Sequence, residues 1–145
     1  MSNVFLVTGT AGFIGCEVAL QLLQSGQHVV GVDNVNDYYD VELKRSRLAR
    51  LAPFDKYINY EFCLSDRHTL EKLFAEHQFD QVIHLAAQAG LRYSLENPRA
   101  YIDSNIVSLL NVLECCRNSS INHLTYASSS SVYGANTAQP FSVSD

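Results

Sequence analysis

Three glycines at three-residue intervals, Gly9, Gly12 and Gly15, follow an apolar run (Val4, Phe5, Leu6, Val7) that ends at Thr8. Past Phe13 the apolar residues change to helical spacing at Ile14, Val18, Ala19, Leu22 and Leu23. A buried strand, a tight turn and the first turn of a helix are therefore predicted over residues 4–18. The amides that open such a helix have no intrahelical acceptor and point along its axis. A pyrophosphate suits that place, because it is anionic and glycines let it reach the backbone. Asp33 closes a second apolar run, residues 28–32, at the point where a carboxylate can accept hydrogen bonds from a ribose diol. The GxxGxxG spacing is one residue longer than the GxGxxG fingerprint, and taken alone it fits a helix-capping turn equally well. With a strand before it, a helix after it and an acid ending the next strand, it meets the context that a dinucleotide site requires.

A series of elements must position these groups. Residues 34–40 (NVNDYYD) are rich in turn formers, and a helix is predicted over 41–51, stopped by Pro53. Its Lys and Arg residues read most simply as a solvated face, with contact to the adenosine end as the alternative. Residues 57–64 form a third predicted strand. Asp66 is an N-cap for a helix over 69–77 whose buried stripe is Leu70, Leu73 and Phe74. Residues 81–86 (QVIHLA) are a continuous apolar strand, 88–97 a loop, and Pro98 the first turn of a helix running to Arg117. That helix is expected to turn Tyr101, Ile102, Ile106, Leu109, Leu110 and Leu113 inward. A fifth strand over 123–127 ends in the serines at 128–131. The alternation of strands and long crossovers predicts an α/β fold, a doubly wound (Rossmann-type) parallel sheet of order 3-2-1-4-5. Ligands in such sheets bind beyond the carboxyl ends of the strands. The glycine turn, Asp33, residues 63–66, residues 86–88 and the serine run thus belong on one edge.

The 145 residues are one domain's length, and 47% apolar with 17% charged residues is ordinary for a soluble globular chain. A net charge of −5 speaks against nucleic-acid binding, which needs a basic face to displace counterions. No run is long and apolar enough to span a membrane, and the first strand starts too early for a signal peptide, so a cytoplasmic protein is expected. The four cysteines, Cys16, Cys63, Cys115 and Cys116, have neither zinc spacing nor a CxxC pair. They read as small core residues, and no metal site is expected.

The segments TGTAGFIG, DNVNDYYD, HLAAQAGLRYSLENP and YASSSSVYG together resemble the extended short-chain dehydrogenase/reductases, and within them the NAD-dependent nucleotide-sugar epimerases of the UDP-glucuronate 4-epimerase type. The resemblance runs from Val4 to the end of the chain. It implies an NAD-binding domain over 1–145, the N-terminal part of a longer enzyme whose last strands and sugar-binding lobe lie outside these residues. The implied chemistry is transfer of hydride from C4 of a UDP-sugar to NAD, rotation of the 4-keto sugar and return of the hydride to its other face. Gly9, Gly12, Phe13, Ile14 and Gly15 would hold the pyrophosphate, Asp33 and Asn34 the adenosine ribose, and Cys63 and Leu64 the adenine. Ala86, Ala87 and Gln88 would line the nicotinamide side, supported by Asn105. Ser129 falls at the catalytic Ser/Thr position, with Ser130 catalytic beside it and Ser131 a further substrate contact. Arg92 lies in the substrate-facing loop, where a guanidinium could pair with a uronate or a phosphate, or else with Glu96. Asp33 also favours NAD, since a carboxylate repels the 2′-phosphate of NADP. Complete family members are implied to be homodimers.

Three positions depart from the family pattern. Cys63 stands where an acid usually accepts from the adenine amine, and Ser108 replaces a glycine in the helix after the fourth strand. None of the eight tyrosines (Tyr38, Tyr39, Tyr57, Tyr60, Tyr93, Tyr101, Tyr126, Tyr133) has a lysine four residues on, so the family's Tyr-x-x-x-Lys proton shuttle is missing from the chain. Two other readings stay open: a nucleotide-sugar dehydratase or decarboxylase on the same fold, and a non-catalytic NAD-binding module. The first usually carries an acid just after the catalytic Ser/Thr, where this chain has Ser130. The second is suggested by the missing Tyr and Lys.

Overall fold

The structure is a computed structural model that describes residues 2–137 and 139–144. Five parallel strands, β1 (Val4–Thr8), β2 (His28–Asp33), β3 (Tyr57–Glu61), β4 (Gln81–His84) and β5 (Leu124–Tyr126), form one sheet in the order 3-2-1-4-5. This is the predicted doubly wound topology. Helices α1 (Phe13–Gln24) and α2 (Val41–Leu51) cover one face, and α3 (Arg67–Glu76) and α6 (Ser108–Asn118) pack together on the other. The strand period of two divides the core. Phe5, Val7 and Val29 join Cys16, Ala19, Leu23 and Leu51 beneath α1 and α2. Leu6, Val30, Val32 and Val82 meet Leu70, Leu73 and Val112 under α3 and α6. Unbroken apolar strands follow from burial on both faces.

Local signals place most of the helices. Asp40 caps α2 by accepting from the Glu42 amide at 2.9 Å, and Asp66 caps α3 by accepting from the Thr69 amide at 3.2 Å. Cys16, Cys115 and Cys116 are buried and Cys63 half-buried, all with free thiols, as the spacing suggested.

Several expectations fail at element ends and on helix faces. β3 stops at Glu61 rather than 64, although the Phe62 amide still donates to the Asp33 carbonyl at 3.1 Å. β4 stops at His84 because the amides of Leu85 and Ala86 leave the ladder for the Thr8 hydroxyl, at 3.1 and 3.0 Å. The segment read as a loop holds one helical turn, α4 (Tyr93–Glu96), before α5 (Pro98–Tyr101).

The larger correction concerns the helix after Pro98. A π-helical stretch, Ile102–Val107, precedes α6. Of the predicted inward residues, Ile102, Ile106, Leu110 and Leu113 are exposed. The buried stripe is Ser108, Asn111, Val112, Cys115 and Cys116. Two polar residues occupy it because each finds partners: Asn111 Nδ2 donates to the carbonyls of Leu64 (2.9 Å) and Ser65 (3.2 Å), and Ser108 Oγ to that of Asp103 (2.8 Å). Ser108 thus stitches the π-turn rather than crowding the helix. The solvated reading of α2 also fails at Lys44, which is 4% exposed.

Helix α1 lies so close to the end of β1 that a Cβ on Gly15 would fall inside contact distance of the Gly9 carbonyl oxygen. The obstacle is backbone and cannot swing aside. Gly15→Ala should therefore cost about 3 kcal/mol, the upper end for overpacking, read as a lower urea midpoint at unchanged m-value.

Candidate functional site

The carboxyl ends of the strands open into one cleft. Its lining includes Gly9, Gly12, Asp33, Asn34, Cys63, Leu64, Ala86, Ala87 and Gln88, all singled out from the sequence. Gly9, at φ +78°, takes a backbone conformation that side chains disfavour, and a Cβ there would come within 2.9 Å of the Ala86 amide. Its carbonyl accepts from the Gly12 amide at 2.9 Å. Gly12 caps α1 without any side-chain hydrogen bond, and no acid stands in the helix's first turn. The opening amides of a twelve-residue helix are thus left to face an anion.

Asp33 is held from two sides. Oδ2 accepts from the Ala11 amide at 3.0 Å and Oδ1 from the Val35 amide at 2.9 Å. Each oxygen keeps a further lone pair for a ligand hydroxyl. Lys44 also lines the cleft, its Nζ donating to the Asn36 carbonyl (2.7 Å) and Oδ1 (2.6 Å). Burial pushes its ammonium below the usual range, while the Asp33 and Asp37 charges oppose that shift. The sequence held a signal for Lys44, since Val41, Lys44, Leu48 and Leu51 follow one helical stripe. The Cys63 thiol lies 3.0 Å from the Ser65 hydroxyl.

At the other end of the cleft, Asn105 holds both backbone groups of one residue. Its Oδ1 accepts from the Gln88 amide at 2.7 Å and its Nδ2 donates to the Gln88 carbonyl at 3.0 Å. The π-turn that carries Asn105 also brings Ser104, with Ser108 beyond it, to the cleft wall. Asn105 does not line the cleft and acts on it through Gln88. Phe13 and Ile14 are 78% and 62% exposed and, like Gly15, stand outside the lining. What they offer an anion is backbone.

Arg92 is exposed and outside the cleft, and among the described residues it forms no ion pair with Glu96. Ser129, Ser130 and Ser131 are exposed beyond β5 and do not line the cleft either. Ser129 Oγ accepts from the Ser131 amide at 3.2 Å and donates to Ser131 Oγ at 3.2 Å, which caps the 3-10 turn Ser130–Tyr133. Among the described residues no cluster of His, Cys, Asp or Glu could hold a metal, and no helix is long and apolar enough to cross a membrane.

Residues 5–145 match the NAD dependent epimerase/dehydratase family. The chain belongs to that family. It is 54% identical over 140 residues to the Staphylococcus aureus protein CapI, covering 97% of this chain and 42% of that protein. Against UDP-glucuronate 4-epimerase 2 of Arabidopsis thaliana it is 50% identical over 141 residues, covering 97% of this chain and 32% of the relative. The crystal structure of a Bacillus cereus UDP-glucuronic acid 4-epimerase, in complex with UDP-glucuronic acid and NAD, superposes with a TM-score of 0.84 at 32% identity, over 93% of this chain and 43% of that one. The chain therefore spans less than half the length of these relatives.

One buried cluster supports the cleft and was not expected. Thr8 Oγ1 accepts from the amides of Leu85 and Ala86, which uses both its lone pairs, so its proton goes to His84 Nδ1, 2.8 Å away. His84 is thereby held as the neutral Nε2–H tautomer at 6% exposure, and burial pushes its pKa down to about 4 from 6.5. The unfolded chain takes up this proton first. His84 should leave stability untouched above pH 6.5, lower it on acidification and level off near pH 4, by up to about 3 kcal/mol in all. Urea unfolding from pH 7 to 4 should lose less stability in His84→Asn, which keeps an acceptor for Thr8; equal slopes would refute the assignment.

Proposed function

We propose that this chain is the cofactor-binding part of an NAD-dependent epimerase that inverts C4 of a UDP-sugar, with UDP-glucuronate as substrate. The observation that carries the reading is the single cleft in which the glycine turn, the doubly anchored Asp33 and the Ala86–Gln88 backbone converge. The likeness to the Arabidopsis and Bacillus epimerases supports the choice of UDP-glucuronate. When bound, NAD supplies a reversible hydride acceptor for C4.

The chain's residues divide the remaining work. The α1 amides and the glycine turn receive the pyrophosphate, and Asp33 accepts from the adenosine ribose hydroxyls. Cys63 lacks the carboxylate that would accept from the adenine amine, so adenine rests on Leu64 and backbone. Asn105 keeps the Gln88 peptide in place on the nicotinamide side. Ser129 has spent one lone pair and its proton on Ser131, so its remaining lone pair is free to accept from the sugar 4-OH and orient that proton. Ser130 and Ser131 stand beside it as further hydroxyls, and Arg92 offers a guanidinium to the uronate or a phosphate.

A serine hydroxyl cannot take the 4-OH proton near neutral pH, and the 145 residues hold no Tyr-x-x-x-Lys pair. A polypeptide limited to these residues should give no C4 epimer and no transient NADH absorbance with NAD and UDP-glucuronate. Turnover abolished by Ser129→Ala would show that another residue here serves as base. A dehydratase or decarboxylase would instead yield a 4-keto or decarboxylated sugar from the complete enzyme.

Cofactor choice is a separate expectation. Calorimetry should show NAD bound more tightly than NADP, and Asp33→Ala should weaken NAD and narrow the difference. Equal affinity in the unmodified chain would overturn the ribose assignment.

A further inference from the structure

The loops that follow β2 and β4 meet above the cleft. Tyr38, from the first, packs its ring on Tyr93, from the second, with centroids 4.8 Å apart and planes tilted by 43°. Both sides are braced. Tyr101 stands behind Tyr93 at 6.4 Å and donates to the carbonyls of Ala89, at 2.8 Å, and Gly90. Gly90, at φ +91°, leaves free the space that a Cβ would take from the Tyr38 hydroxyl. On the β2 side Tyr39 meets Tyr38 edge-on at 6.4 Å, and Arg47 donates to the Tyr39 hydroxyl at 3.0 Å.

β2 and β4 are not neighbours, since β1 lies between them in the sheet. A contact between their C-terminal loops therefore crosses over the end of β1, where the glycine turn begins. Tyr38 lines the cleft, whereas Tyr93 does not. We propose that the Tyr38–Tyr93 pair is a clasp across the cleft that has to part whenever the dinucleotide enters or leaves, and that it sets how long the cofactor stays. The inference rests on the reading of this cleft as the NAD site.

The chemistry gives the clasp a purpose. An epimerisation returns its hydride to the sugar from the cofactor molecule that took it, so exchange of cofactor brings no gain. Loss of the reduced form in mid-cycle would strand an oxidised sugar. The two rings share no hydrogen bond, so the clasp slows traffic without blocking it. It acts on passage in both directions, so weakening it speeds entry and release together and leaves their ratio nearly unchanged. That separates it from a residue that binds the cofactor directly.

The test is stopped-flow fluorescence on the full chain, following NADH binding and its displacement by excess NAD. Tyr93→Ala should raise both rate constants by about 3- to 10-fold, as expected for loss of one aromatic pair, with Kd changed less than about twofold. Tyr93→Phe should keep the original rates, because the ring and not the hydroxyl makes the contact. Tyr38→Leu tests the pair from the other side, and adding Tyr93→Ala to it should accelerate release no further. Unchanged rates in folded Tyr93→Ala and Tyr38→Leu, or a faster release matched by an equal rise in Kd, would overturn the clasp while leaving the NAD site intact. Failure of the folded, unmodified chain to bind NADH or NAD would overturn the cofactor reading and the clasp with it.

Discussion

The approach of α1 to the end of β1 is the constraint on which the cleft depends. The Gly9 carbonyl accepts from the Gly12 amide, and the missing side chain of Gly15 lets the helix settle against that same carbonyl. The Gly9 amide donates to the Val32 carbonyl at 2.7 Å, which locks the turn to the neighbouring strand. A helix held farther away would carry its opening amides off the strand ends. Ala11 would then lose its place against the Asp33 carboxylate. The glycine turn and Asp33 are thus one construction, joined by the Ala11 amide–carboxylate bond and the Gly9–Val32 backbone bond.

The β4 side is built by a different device. Backbone amides that leave a sheet ladder must find other acceptors, since burial without one is costly. Thr8 provides the acceptor for two of them, and His84 takes the hydroxyl proton that remains. The chain can therefore turn out of the sheet at Leu85 and spread Ala86, Ala87 and Gln88 along the cleft. Farther on, the π-turn presents Asn105 to the next peptide, at Gln88. Among the described residues no buried side-chain polar atom lacks a partner, which explains how so polar a stripe survives beneath α6.

Charge in the cleft is balanced locally. Asp33 and the buried Lys44 bring opposite signs to the same end, and Lys44 also holds Asn36 and lies 4.3 Å from the centre of the Tyr39 ring. Through Lys44, helix α2 is in this way part of the wall. Arg47 donates to the Ala11 carbonyl at 3.3 Å and to the Tyr39 hydroxyl, whereas Arg45 pairs with Glu61 and Arg50 with Glu17 across exposed positions, where such pairs contribute little.

The strands, the glycine turn, Asp33 and the cap at Asp66 were legible in the sequence because each depends on short-range chemistry. Alternation of apolar residues, a turn that only glycine makes easily, and an acid followed by helix formers all act within a few residues. Most of the cleft lining followed from topology, because parallel strands with right-handed crossovers bring their carboxyl ends to one edge. Other features required the folded chain. The inward face of α6 was set by the π-turn and by polar partners at Leu64 and Ser65, so the apolar pattern pointed the wrong way. His84 and the Tyr38–Tyr93 contact took their roles from residues distant in sequence. A side chain's period tells which way it leans on its own helix or strand. Only the neighbour it meets across the sheet decides whether that position is solvent, core or site.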